Sequence, residues 1–123
     1  MGQERRRSPR AQVQLIAVIT VRRTGKVRRV LTHNLSGVGV CFIDQELLPA
    51  GEALHVELIL PDRKQPLPCD CTVVWSKIID APRKSYEAPR VETAIEITRI
   101  QPNDRRSLVQ YSMMNATPST QGE

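Results

Sequence analysis

Apolar and polar positions alternate through most of this chain, with Gly, Pro and short polar clusters marking the breaks. Val13 to Val21 is rich in β-branched residues, and Thr24-Gly25-Lys26 is a turn signal before Val27 to His33, so the two segments read as a hairpin. Val38 to Ile43 is a third short strand, and Leu48-Pro49-Ala50-Gly51 breaks the chain before Ala53 to Leu60, whose His55 and Glu57 alternate with apolar neighbours. A polar loop, Pro61 to Pro66, precedes Leu67 to Ile79, where Cys69, Cys71, Val73 and Trp75 recur at spacing two; this predicts Trp75 in the core. Arg90 to Ile100 follows a loop holding Pro82 and Pro89. Six strands at this spacing predict an all-β fold closed into a small barrel. Pro102-Asn103-Asp104 then opens a short terminal helix, with Leu108, Val109, Tyr111 and Met113 as its apolar side. Residues beyond Asn115 are expected to be disordered.

With 123 residues, 40% of them hydrophobic and 25% charged, the composition is that of one globular domain. The apolar run Leu15 to Ile19 is far shorter than the roughly 20 residues a membrane-crossing helix needs. The arginine-rich start leads into no apolar core with a small-residue cleavage site, so neither a span nor a secretory signal is expected and a cytoplasmic protein is. Cys41, Cys69 and Cys71 are an odd number; Cys-x-Cys lacks the usual zinc spacing and a fourth ligand, so buried reduced thiols and no metal are expected.

Charge divides the chain. Residues 1–34 hold nine Arg or Lys and one Glu, a net +8, whereas the remainder holds nine basic and twelve acidic side chains, a net −3. An anionic partner at the N-terminal face fits that asymmetry. Arg22, Arg23, Lys26, Arg28 and Arg29, around the hairpin, are either a solvated edge or an electrostatic extension of such a site.

Two patterns carry candidate chemistry. In Arg5-Arg6-Arg7-Ser8-Pro9-Arg10, the proline disfavours helix, so the guanidinium groups fan out from an extended segment. Arginine offers phosphate or a guanine edge a planar fork of donors and also stacks on flat rings, which suits an anionic, aromatic ligand. The second, Asn34-Leu35-Ser36-Gly37-Val38-Gly39, sets short polar side chains and two glycines between apolar runs, as a turn that approaches something closely requires. Asn34 and Ser36 can bond either to local backbone or to a ligand.

The ordered pair Arg6-x-x-x-Arg10 and Asn34-x-Ser36-x-x-Gly39, with Asn34 24 positions after Arg10, resembles the PilZ domain family over roughly residues 4 to 112. The resemblance implies a six-stranded antiparallel barrel with a short C-terminal helix that binds the bacterial second messenger cyclic dimeric GMP. On it, Arg6 and Arg10 grip guanine and phosphate, Asn34 and Ser36 orient the guanine, and Gly39 leaves room for it. Arg5 resembles an additional arginine that helps hold a pair of intercalated ligand molecules in some members. The implied organisation is a ligand-binding arm over residues 1–12, a barrel with its helix over 13–114 and a tail over 115–123. A lone domain of this kind would act through another molecule, a regulated protein partner foremost, or through self-association, and motility, surface adhesion and polysaccharide export are the processes the family suggests.

No catalytic constellation is legible. His33 and His55 are the only histidines, and no phosphate-cradling Gly-Lys-Ser/Thr loop or His-Glu-x-x-His helix occurs, so a binding protein rather than an enzyme is expected, with His33 a bystander at a strand end. A small basic barrel for RNA or single-stranded DNA is the rival reading. Its weakness is an aromatic content of 3%, with Phe42, Trp75, Tyr86 and Tyr111 dispersed. A ligand-blind interaction domain of the same fold is the third, disfavoured by the intact motif positions.

Overall fold

The structure, a computed structural model, describes residues 14–115. The expected arm, residues 1–12 with Arg5, Arg6 and Arg10, and the expected tail beyond Asn115 lie outside the described residues.

Six strands form: β1 (Ile16–Val21), β2 (Val27–Leu35), β3 (Gly39–Asp44), β4 (Ala53–Ile59), β5 (Leu67–Asp80) and β6 (Arg90–Arg99), followed by α1 (Pro102–Met114). Every pairing is antiparallel, and the order β1-β2-β3-β6-β5-β4 closes on itself because β1 pairs with both β2 and β4. The alternation read from the sequence is what permits closure: Ala17, Ile19 and Val21 of β1, Leu54, Val56 and Leu58 of β4, and Leu67, Cys69, Cys71 and Val73 of β5 all turn inward and are buried. Each Val, Leu or Ile side chain among them contributes roughly 1.5–3 kcal/mol. Phe42 of β3, only 1% exposed, is the largest of the side chains filling the middle. Polar groups taken inside are paired: Thr93 Oγ1 lies 2.8 Å from Ser76 Oγ, and Thr32 Oγ1 accepts a bond from Leu15 N–H.

The barrel has two distinct ends. At one, Gly25, with φ of 76°, turns β1 into β2, and the β3–β4 connection lies nearby. At the other, β2 turns into β3 through residues 36–38, and α1 follows directly from the end of β6. Leu108, fully buried, belongs to the barrel core, and Tyr111 packs against it.

Two expectations fail on phase. β5 bulges between Val73 and Trp75, so Val73 opposes the buried Ile95 whereas Trp75 opposes Ala94 on the outer face; Trp75 is 39% exposed and is not core. On α1, the buried positions are Leu108 and Ser112, one turn apart, which leaves Met113 facing outward and 62% exposed. Cys69 and Cys71 are buried, with Sγ atoms 3.7 Å apart, but Cys41 is only half-buried.

Candidate ligand-binding face

The Asn/Ser/Gly pattern is a tight connection held by its own serine. Leu35, buried, ends β2; Ser36 N–H then donates to Gly39 O at 3.0 Å, and Ser36 Oγ accepts from the N–H groups of Val38 and Gly39, both at 3.2 Å. Of the two roles open to this hydroxyl, the structure shows bonding to local backbone, and the residue is 6% exposed. Gly39 answers a packing demand: a β-carbon there would stand 2.8 Å from Ile95 O on the neighbouring strand. Two further anchors hold the connection, a bond from Ile97 N–H to Val38 O at 2.9 Å and one from the Arg105 guanidinium of α1 to Gly37 O.

Asn34 owes its direction to a second bulge. β2 pairs Thr32 with Phe42 but Asn34 with Cys41, so His33 is the extra residue, and both His33 and Asn34 are half-buried between the inward Thr32 and Leu35. From Asn34 a row of register partners crosses the outer face: Asn34 opposes Cys41, Cys41 opposes Ala94, and Ala94 opposes Trp75. Three strand spacings give it a length of roughly 14 Å. The middle residues are small, so the strip is shallow between an amide at one end and an indole at the other. Beside it, Glu92 stands 2.8 Å from His33 Nε2, off the line of a hydrogen bond, and 3.9 Å from Lys77 Nζ; Lys77 in turn lies over the Trp75 ring, 4.8 Å from its centre. His33 is therefore half-sequestered beside the strip rather than idle at a strand end.

The route of the chain into the barrel also bears on this face. Leu15 and Thr32 are bonded twice, Thr32 N–H to Leu15 O at 2.8 Å and Leu15 N–H to Thr32 Oγ1 at 3.1 Å. Leu15 thus meets β2 two positions from Asn34.

Arg22, Arg23, Lys26 and Arg28 do not extend the site. They lie at the opposite end of the barrel and are already paired: Arg22 with Asp70 at 3.1 Å, Arg23 with Glu52 at 3.3 Å, Lys26 with Glu46 at 2.9 Å, and Arg28 with Asp44 at 2.7 Å. The bond to Asp44 raises the Arg28 pKa, and the Lys26 contact holds the Glu46 carboxyl below its ordinary range. Among the described residues no three His, Cys, Asp or Glu side chains converge to hold a metal, and no helix is long and apolar enough to cross a membrane.

A strand-borne Asn/Ser/Gly connection on a closed six-stranded barrel with a terminal helix is the arrangement that the family comparison recovers: the PilZ domain model matches residues 4–113. The chain belongs to the PilZ domain family. Solved structures share the fold. The PilZ domain of YcgR from Escherichia coli, determined with c-di-GMP, superposes with a TM-score of 0.69 at 13% identity, covering 91% of this chain and 92% of that one. The Bacillus subtilis inhibitor of motility, MotI/DgrA, gives 0.71 at 22% identity, covering 91% of this chain and 51% of that one. The K. pneumonia MrkH–c-di-GMP complex gives 0.72 at 14% identity, covering 92% and 52%. This PilZ chain therefore spans about half the length of MotI and MrkH. Comparison with curated proteins gives no match.

Trp75 is the residue that reading the sequence misplaced. The adjacent apolar pair Val73-Val74, followed by Ser76 and Lys77 where alternation would continue, was the available sign that the phase changes within β5.

Proposed function

We propose that this PilZ domain is a receptor for cyclic dimeric GMP, acting as an adaptor rather than an enzyme. The observation that supports the reading is the double bond between Leu15 and Thr32, which ties Leu15 to the end of the barrel where Asn34 and the Ser36–Gly39 connection lie. Arg10 and Arg6 supply paired donors for phosphate and for a guanine edge, and Arg5 adds a third guanidinium able to stack on a second ligand molecule. Asn34 offers an amide to guanine. Ser36 holds the turn in shape, and the small surface at Gly39, Cys41 and Ala94 lets a flat base lie against the strands, with Trp75 as a stacking partner.

The arm, residues 1–12, closes over the ligand and in doing so alters the surface offered to a partner protein, an ordering switch of a common kind. The relatives support a sensing module with varied outputs, since one is described as an inhibitor of motility and another as a transcription regulatory factor, each about twice this chain's length.

Calorimetric titration of cyclic dimeric GMP into the wild type, Arg6→Ala and Arg10→Ala tests the reading. A charge-assisted bond contributes about 1.5–3 kcal/mol, so each variant should bind at least tenfold more weakly. Affinity should also fall as salt is raised. Equal binding by wild type and both variants sinks the assignment, and tight binding of random oligonucleotides with none of the cyclic dinucleotide returns the nucleic-acid reading.

A further inference from the structure

Along α1 runs a groove of about 540 Å³. Its walls are Ile100, Pro102, Val109 and Met113, and Arg105 and Arg106 stand in it. Unlike Arg22, Arg23, Lys26 and Arg28, these two have no carboxylate within ion-pair distance among the described residues. Arg105 donates to Gly37 O, Arg106 to Asn103 Oδ1, and Asp104, next to Arg105 in the chain, is paired with Arg63 at 3.3 Å. Two guanidinium groups with no ion-pair partner among the described residues, beside an apolar floor, form an amphipathic surface of positive sign.

We propose that this groove docks an acidic amphipathic segment of the protein that the domain regulates. Apolar side chains of the segment lie between Val109 and Met113, where the flexible thioether adapts to their shape, and its carboxylates reach Arg105 and Arg106. Charge decides the occupant. Residues 1–13 of this chain carry Arg5, Arg6, Arg7 and Arg10 against one glutamate and are repelled; residues 116–123 have a single acidic side chain, Glu123, and no large apolar residue to seat. Arg105 gives the docking a consequence, which rests on the receptor reading above. The same guanidinium that meets the segment holds Gly37 O, inside the connection that borders the ligand face, so nucleotide and segment bias one residue. By reciprocity, whatever change the segment makes in nucleotide affinity, nucleotide makes in segment affinity.

The test uses the full ¹⁵N-labelled chain and a short synthetic helical peptide with leucines along one stripe flanked by glutamates. A counterpart has lysines in place of the glutamates, and vesicles of phosphatidylglycerol form a third probe. Without nucleotide, the acidic peptide should move the amide signals of Arg105, Val109 and Met113, and the lysine peptide should bind roughly tenfold more weakly or worse. Arg106→Glu should reverse that preference while its circular dichroism spectrum stays that of the wild type. No movement in the groove, equal binding of both peptides, or movement with vesicles but not with the acidic peptide overturns the docking proposal. Repeating the titration with cyclic dimeric GMP should shift the peptide affinity several-fold, and Arg105→Gln should abolish that shift. A protein that binds nucleotide and peptide independently overturns the coupling; one that binds peptide but no nucleotide overturns the receptor reading and leaves the docking result standing.

Discussion

Gly39 and Ile95 meet backbone to backbone, so closely that any β-carbon on Gly39 would be 2.8 Å from the Ile95 carbonyl oxygen. The motif glycine is therefore fixed by strand packing before any ligand arrives. Gly39→Ala must push β3 and β6 apart, and forced overpacking of this kind costs about 1–3 kcal/mol. At roughly 4–8 °C per kcal/mol for a domain near this size, the loss is readable in thermal unfolding without nucleotide. An unchanged melting temperature would remove the packing explanation.

Trp75 is the chain's one tryptophan and lies outward at the end of the row that begins with Asn34. Adding cyclic dimeric GMP should quench or shift its fluorescence, giving a label-free titration. Stacking of a base on an aromatic ring contributes roughly 1–3 kcal/mol, so Trp75→Ala should weaken binding at least fivefold and Trp75→Phe should keep part of the affinity. Wild-type affinity in Trp75→Ala would place the base elsewhere.

The three cysteines separate by position. Cys41 lies half-buried in the same row, whereas Cys69 and Cys71 point inward, where their mutual hydrogen bond and burial push the Cys71 thiol upward and keep it protonated. Iodoacetamide should modify Cys41 in the folded protein and the other two only after denaturation, as mass spectrometry of the intact chain would show. Saturating nucleotide should slow the Cys41 reaction. Labelling of Cys41 at the same rate with and without nucleotide would argue against a ligand lying over Ala94 and Cys41.

What reading the sequence could deliver follows from where its regularities hold. All six strands and the start of the helix at Pro102 were legible because period-two alternation and turn residues report directly on burial and chain reversal. The Asn34–Gly39 turn was legible for the same reason. The bulges at His33 and after Val73 were not, since an extra residue there adds no distinctive side chain yet reverses the positions that follow it. That is how a tryptophan assigned to the interior came to stand on the outer face. The helix erred in a related way: Met113 is apolar, but the buried positions are Leu108 and Ser112, with Tyr111 packed against the core. The pairing of the hairpin cations with distant acids, such as Arg23 with Glu52, needed the closed topology to be seen.

On the receptor reading proposed above, the stitch between Leu15 and Thr32 would also lower the intrinsic affinity that the arginines require. A ligand seated against the strands would meet them on a leash of a few residues, at an effective local concentration in the millimolar range. Even a feeble contact would then complete capture and preserve rapid release when the messenger's level falls. Cutting that leash would leave the arginine peptide, supplied free in solution, unable to restore capture at micromolar amounts.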